Sequence, residues 1–114
     1  MKTAHFVKVA AAVSLVSVAS FAQAAPTFAQ VDPILKANAC LACHQLDKKV
    51  IGPAYKDVAA KYKGGDQAVA DTIASRIKKG SSGVWGPVPM TPNARISDAD
   101  LKLVVDWIMA GAPK

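Results

Sequence analysis

From Asp32 onward, apolar and polar positions alternate with the period of an α-helix in four stretches. Ile34, Leu35, Asn38, Ala39 and Ala42 follow Asp32-Pro33, where Asp suits the cap and Pro the first helical position. This predicts a first helix from Asp32 to about Cys43. Gly52-Pro53 breaks the chain, and Pro53 can open a second helix with Tyr55, Val58, Ala59 and Tyr62 on one face. Gly64-Gly65-Asp66 stops it. Val69, Ile73 and Ile77 recur at intervals of four within a third helix, Gln67 to Lys79. Its last turn carries Arg76, Lys78 and Lys79, favourable at the negative end of the helix dipole, and Gly80 ends it. Ser97 to Asp100 is of capping-box type and opens a last helix running to about Ala110. Leu101, Val104, Val105 and Ile108 form its stripe, widened by Leu103 and Trp107. No stretch has a strand period, so the fold class is all-α with about four helices.

Two segments do not fit this pattern. Val9 to Phe21 is an apolar run broken only by Ser14, Ser17 and Ser20, preceded by Lys2 and Lys8 and followed by Ala22-Gln23-Ala24. A positive start, a short apolar core and small residues at the cleavage site describe a secretory signal. The run is too short for the roughly 20 residues that cross a bilayer. Residues 1–24 are therefore expected to be a removed leader, and residues 25–114 the functional domain, exported to the periplasm without stable membrane insertion. The other segment, Gly80 to Asn93, holds three glycines and three prolines and cannot be regular. Its Val84, Trp85, Val88 and Met90 argue for an ordered loop that wraps something.

Composition changes this picture in two ways. Without the leader the chain has about 90 residues and a charge of about +4, with every acid an aspartate. That mild bias suits an acidic protein surface or an anionic membrane. It does not suggest nucleic acid, because the lysines are scattered and not interleaved with aromatics. A domain this small also buries only about 60–65% of its surface, and usually needs a staple.

The candidate staple is Cys40-Leu41-Ala42-Cys43-His44, which holds both cysteines of the chain. A thioredoxin-type dithiol needs a strand leading into it, and none is predicted. Zinc needs four ligands, and no residue stands out to complete the set. A plain disulfide closes too short a loop to stabilise much, and leaves His44 and the long loop unexplained. Cys-x-x-Cys-His is the attachment signature of c-type haem: two thioethers fix the porphyrin and the histidine meets the iron. One covalent haem c per chain would also supply the missing core. For the iron's sixth position, Met109 lies in the last helix, where packing explains it. Met90 lies between Pro89 and Thr91 in the Gly/Pro-rich loop, whose prolines lower the entropy cost of presenting one side chain. Met90 is therefore the assigned ligand, giving His/Met ligation through His44 and Met90.

With CLACH, VIGPAYKDVAAKY (50–62), SRIKKGSSGVWGPVPMTPN (75–93) and the closing helix containing DWIM, the chain resembles the bacterial class I cytochromes c. The resemblance is strongest to the small c-551 (c8) type and covers nearly all of Asp32 to Lys114. It implies the small class I cytochrome c fold around one haem. It implies that the Pro53 carbonyl holds the second ring nitrogen of His44, that Arg76 and Trp85 bond a haem propionate, and that Asn93 bonds near the methionine sulfur. It implies a monomeric, non-enzymatic electron carrier. The donor would be a quinol–cytochrome c oxidoreductase, and the acceptor a terminal oxidase or nitrite reductase. The alternative is a small-ligand-binding or peroxidase-type haem protein with a labile methionine. Ala39 departs from the family pattern, since relatives often have Gly there.

Overall fold

A computed structural model describes residues 9–20 and 23–114. Lys2, Lys8, Phe21 and Ala22 of the leader pattern lie outside the described residues. The described part of the expected leader, residues 9–20 with 23 and 24, is non-helical and exposed, with Leu15 and Val9 almost fully open to solvent. Among the described residues no helix is long and apolar enough to cross a membrane.

Four helices form in order: α1 Phe28–Ala37, α2 Tyr55–Tyr62, α3 Gln67–Lys79 and α4 Asp98–Met109. A single 3-10 turn, Cys40–Ala42, separates α1 from α2. No strand is present among the described residues, only the isolated backbone pairs His44–Lys49 and Ser81–Met90. Helix α4 is the hub, because α1, α2 and α3 all pack against it. Its Trp107 is fully buried together with Val31 and Leu35 of α1. The Trp107 ring meets Tyr55 edge-on at 5.1 Å and Phe28 at 5.9 Å, so one side chain joins three helices. Its indole N–H donates to the carbonyl of Pro113 at 2.8 Å, which ties the chain end to the core.

The caps explain the later boundaries. Asp66 accepts from the Val69 amide at the start of α3, and Ser97 from the Asp100 amide at the start of α4, each at 3.1 Å. Helix α1 differs from expectation at both ends. It begins at Phe28, not after Asp32, because Thr27 and Gln30 form a capping box in which the Thr27 amide donates to Gln30 Oε1 at 2.8 Å. Pro33 thus lies inside the helix. Its missing N–H removes one backbone hydrogen bond, and its ring is exposed. The helix stops at Ala37, short of Cys43, because Ala39 turns left-handed with φ +54°.

That conformation carries a steric cost for any residue with a Cβ. Ala39→Gly is expected to raise stability by about 1 kcal/mol, or ~4–8 °C in Tm, in a thermal melt of the folded protein. No rise would mean that the turn relaxes around the methyl group.

Candidate functional site

The CLACH turn follows directly from the reversal at Ala39. The His44 amide donates to the Cys40 carbonyl at 2.9 Å, closing one turn that sets both thiols and the imidazole on the same short arc. The histidine ring is then held from the following loop. His44 Nδ1 lies 2.7 Å from the carbonyl oxygen of Pro53, which leaves Nε2 as the outward nitrogen. Gly52 makes this approach possible. A Cβ there would lie 2.5 Å from His44 Cε1 and 2.8 Å from Nδ1, well inside contact distance.

His44 opens onto a cavity of about 880 Å³. Cys43, Pro53, Arg76, Trp85, Met90 and Asn93 line the same cavity, so seven of the eight candidate residues meet in one place. Cys40 stands beside it, half-buried, with Sγ 3.8 Å from the carbonyl of Asn38. Burial pushes the Cys40 thiol up, while the neighbouring Tyr55 hydroxyl pulls it partly back. Burial holds the Tyr55 hydroxyl itself far above the usual phenol range, so it remains a donor. The floor of the cavity is apolar, built from Val58, Ile73, Ile77, Val104 and Ile108.

Met90 reaches the cavity from the loop after α3, and its main chain is fixed by two hydrogen bonds with Ser81, at 2.8 and 3.1 Å. Gly80 allows the strands of this loop to touch: at φ +78° its missing Cβ would sit 2.6 Å from the Met90 carbonyl. Asn93 anchors the loop's far end. Its amide donates to the Ile77 carbonyl at 2.9 Å, and its side-chain Nδ2 donates to the Asn38 carbonyl at 3.2 Å. The loop that carries Met90 is therefore bonded to the helix end that precedes Cys40. Met109 lies elsewhere, in a separate groove of about 450 Å³ beside residues 23–26 and Gln30.

A histidine and two cysteines on one turn, facing a methionine across an apolar cavity, are matched by the profile of one family, Cytochrome c, over residues 29–112. The chain belongs to the cytochrome c family. It is similar to cytochrome c-552 of Nitrosomonas europaea, 51% identical over 96% of this chain and 97% of the relative. It is also 51% identical to cytochrome c-551 of Pseudomonas aeruginosa, over 68% of this chain and 72% of that one. The crystal structure of wild-type Nitrosomonas europaea cytochrome c552 superposes with a TM-score of 0.64 at 55% identity, covering 68% of this chain and 95% of the other.

The cytochrome thus has the all-α class I fold and carries covalently attached haem c, as a small haem electron carrier. Its residues fit that group. The cavity is deep and mainly apolar, as a porphyrin face requires, and a thiol and an imidazole stand at its wall. None of the eight aspartates lines it.

Sequence reasoning missed four contributors. Gly52 read only as a helix breaker, and Gly80 only as a stop. Asn38 was placed inside a helix that in fact ends before it. Tyr62 read as part of an apolar face, although its hydroxyl accepts a hydrogen bond from Arg76 at 2.7 Å. The motif Thr27-x-x-Gln30 is the one signal that would have moved the helix start.

Proposed function

We propose that this cytochrome is exported with loss of residues 1–24 and shuttles single electrons between respiratory partners in the periplasm, its iron held by His44 and Met90. One observation carries the reading: His44 and Met90 line one cavity while the main chain of each is fixed by its own hydrogen bonds. With both residues as ligands, the iron would have no open position for a substrate. The bound haem supplies the iron that alternates between ferric and ferrous forms. His44, oriented by Pro53, and Met90, held by Ser81, would hold that iron. Val58, Ile73 and Ile108 exclude water, which favours the less charged ferrous site.

Export is supported by the leader pattern. Partner choice is supported by charge. Lys36 and Lys56 are paired with Asp32 and Asp47, whereas Lys48 and Lys49 have no carboxylate partner among the described residues. They directly precede the exposed Val50 and Ile51, which line the cavity. An apolar contact bordered by cations suits an acidic face on a quinol–cytochrome c oxidoreductase, a terminal oxidase or a nitrite reductase.

The test is an absorption spectrum of the purified holoprotein, oxidised, reduced, and reduced under CO. A carrier gives a low-spin haem c spectrum that CO leaves unchanged; CO uptake by the wild type would point instead to a ligand-binding or peroxidase-type protein. In stopped-flow reduction by an acidic partner, raising ionic strength from about 10 to 200 mM is expected to slow association several-fold. A Lys48→Gln/Lys49→Gln variant is expected to lose most of that salt dependence. An unchanged salt slope in the variant would remove these lysines from the docking face.

A further inference from the structure

Lys78 reads from the sequence as a charge at the end of α3, but the structure gives its ammonium a partner elsewhere. Nζ donates to the Ile96 carbonyl at 2.6 Å, 18 positions along the chain and beyond the loop that carries Met90. Ile96 is buried just ahead of α4, and its carbonyl accepts from no backbone amide among the described residues. Without Lys78 that oxygen would stand unpaired beside the core. The ion pair with Asp98 matters less. It spans 3.5 Å to a carboxylate that is 98% exposed, where solvent screens it. A cation here also faces the start of α4, the positive end of that helix dipole, so charge alone would not favour it.

The bond has the geometry of a clasp. Helix α3 ends at Lys79 and α4 starts at Asp98, and the chain between them is non-helical. Two bonds draw its returning end back onto the last turn of α3: the Asn93 amide on the Ile77 carbonyl at 2.9 Å, and Lys78 on Ile96. Ile77 and Lys78 are neighbours on one helical turn, so together they close the base of the loop, while Ser81 and Met90 pair within it. A closed base leaves the segment around Met90 fewer ways to drift. Lys78 does not line the cavity, so it acts there only through the backbone.

We infer that Lys78 is a positioning residue for Met90: by clasping the Ile96 carbonyl it sets how often Met90 leaves the cavity, and so how readily a foreign ligand takes its place. This rests on the reading of Met90 as a ligand of the haem iron. A competitor that binds only when Met90 is displaced has its affinity reduced by the fraction of molecules in which the place is free. Removing the ammonium raises that fraction, and the gain is read as tighter binding of the competitor.

The test is a titration of the oxidised holoprotein with imidazole, followed by the shift of the main haem absorption band, together with a thermal melt. Lys78→Met keeps the apolar stem and removes the ammonium. Its imidazole affinity is expected to rise about tenfold, the size of one hydrogen bond from a charged donor. Met90→Ala, with the place always free, is expected to bind more tightly still. Asp98→Asn loses the ion pair but keeps the Ile96 bond, and is expected to bind as wild type does. Asp66→Ala loses the cap of α3, and is expected to lower Tm with imidazole affinity unchanged. If Met90→Ala binds more tightly than wild type while Lys78→Met behaves like Asp66→Ala, Lys78 is merely structural and the inference is overturned. A gain in Asp98→Asn equal to that in Lys78→Met would overturn it too, since the ion pair and not the carbonyl bond would then be responsible. If Met90→Ala binds imidazole no more tightly than wild type, the reading of Met90 as a ligand falls, and this inference with it.

Discussion

Replacing Met90 with alanine is expected to abolish the weak far-red sulfur-to-iron band of the oxidised protein and let the reduced form take up CO, with the fold kept. The fold survives because Met90 is held through its main chain: the two hydrogen bonds with Ser81 and the close approach of Gly80 do not involve the thioether. What is lost is the soft sulfur, which prefers ferrous iron. A shift of roughly a hundredfold in the ferrous–ferric balance is a fall of ~120 mV for one electron, measurable by redox titration. If the variant keeps the far-red band, the ligand is not Met90. Met109 is poorly placed to replace it, being partly buried in the groove on the other side of α4.

The second large effect comes from a residue with no side chain. Gly52→Ala is expected to lower stability by about 2–3 kcal/mol, or ~10–20 °C in Tm, with a weakened His44–Pro53 hydrogen bond. The new methyl would meet three atoms of the imidazole between 2.5 and 3.1 Å. Turning the ring would cost its 2.7 Å hydrogen bond to Pro53 and its contact with the Tyr55 ring, 5.3 Å away. Either the loop or the ring must move. Ring movement lowers the basicity of the histidine toward the iron, so the reduction potential should shift together with Tm. A variant as stable as wild type, with an unchanged potential, would show that the loop around Gly52 yields without cost.

Much of this architecture was readable from the chain, for identifiable reasons. Helices α2, α3 and α4 were legible because each is bounded by local chemistry: a proline before α2, Asp66 and Gly80 around α3, Ser97 before α4. The CLACH turn was legible because covalent attachment demands a fixed spacing. The start of α1 was obscured by Asp32-Pro33, a stronger apparent cap than Thr27-Phe28-Ala29-Gln30, which forms the box. Its end was obscured because alanine gives no hint of a left-handed backbone. The support around the site was hidden for a different reason. Gly52 against His44, Asn93 against Asn38 and Arg76 against Tyr62 are encounters between segments that only packing brings together.

The pairing of Ser81 with Met90 divides the distal side into a small closed ring of chain whose two ends are fastened to each other. Residues inside that ring, among them the exposed Pro87, Val88 and Pro89, contribute little to the buried core around Trp107. The ring can therefore open and reclose as its own cooperative unit, with the helices still folded. Hydrogen exchange at the Ser81 and Met90 amides would report that event separately from global unfolding. Its free energy, smaller than that of the whole domain, is the margin with which this ring holds Met90 at the cavity.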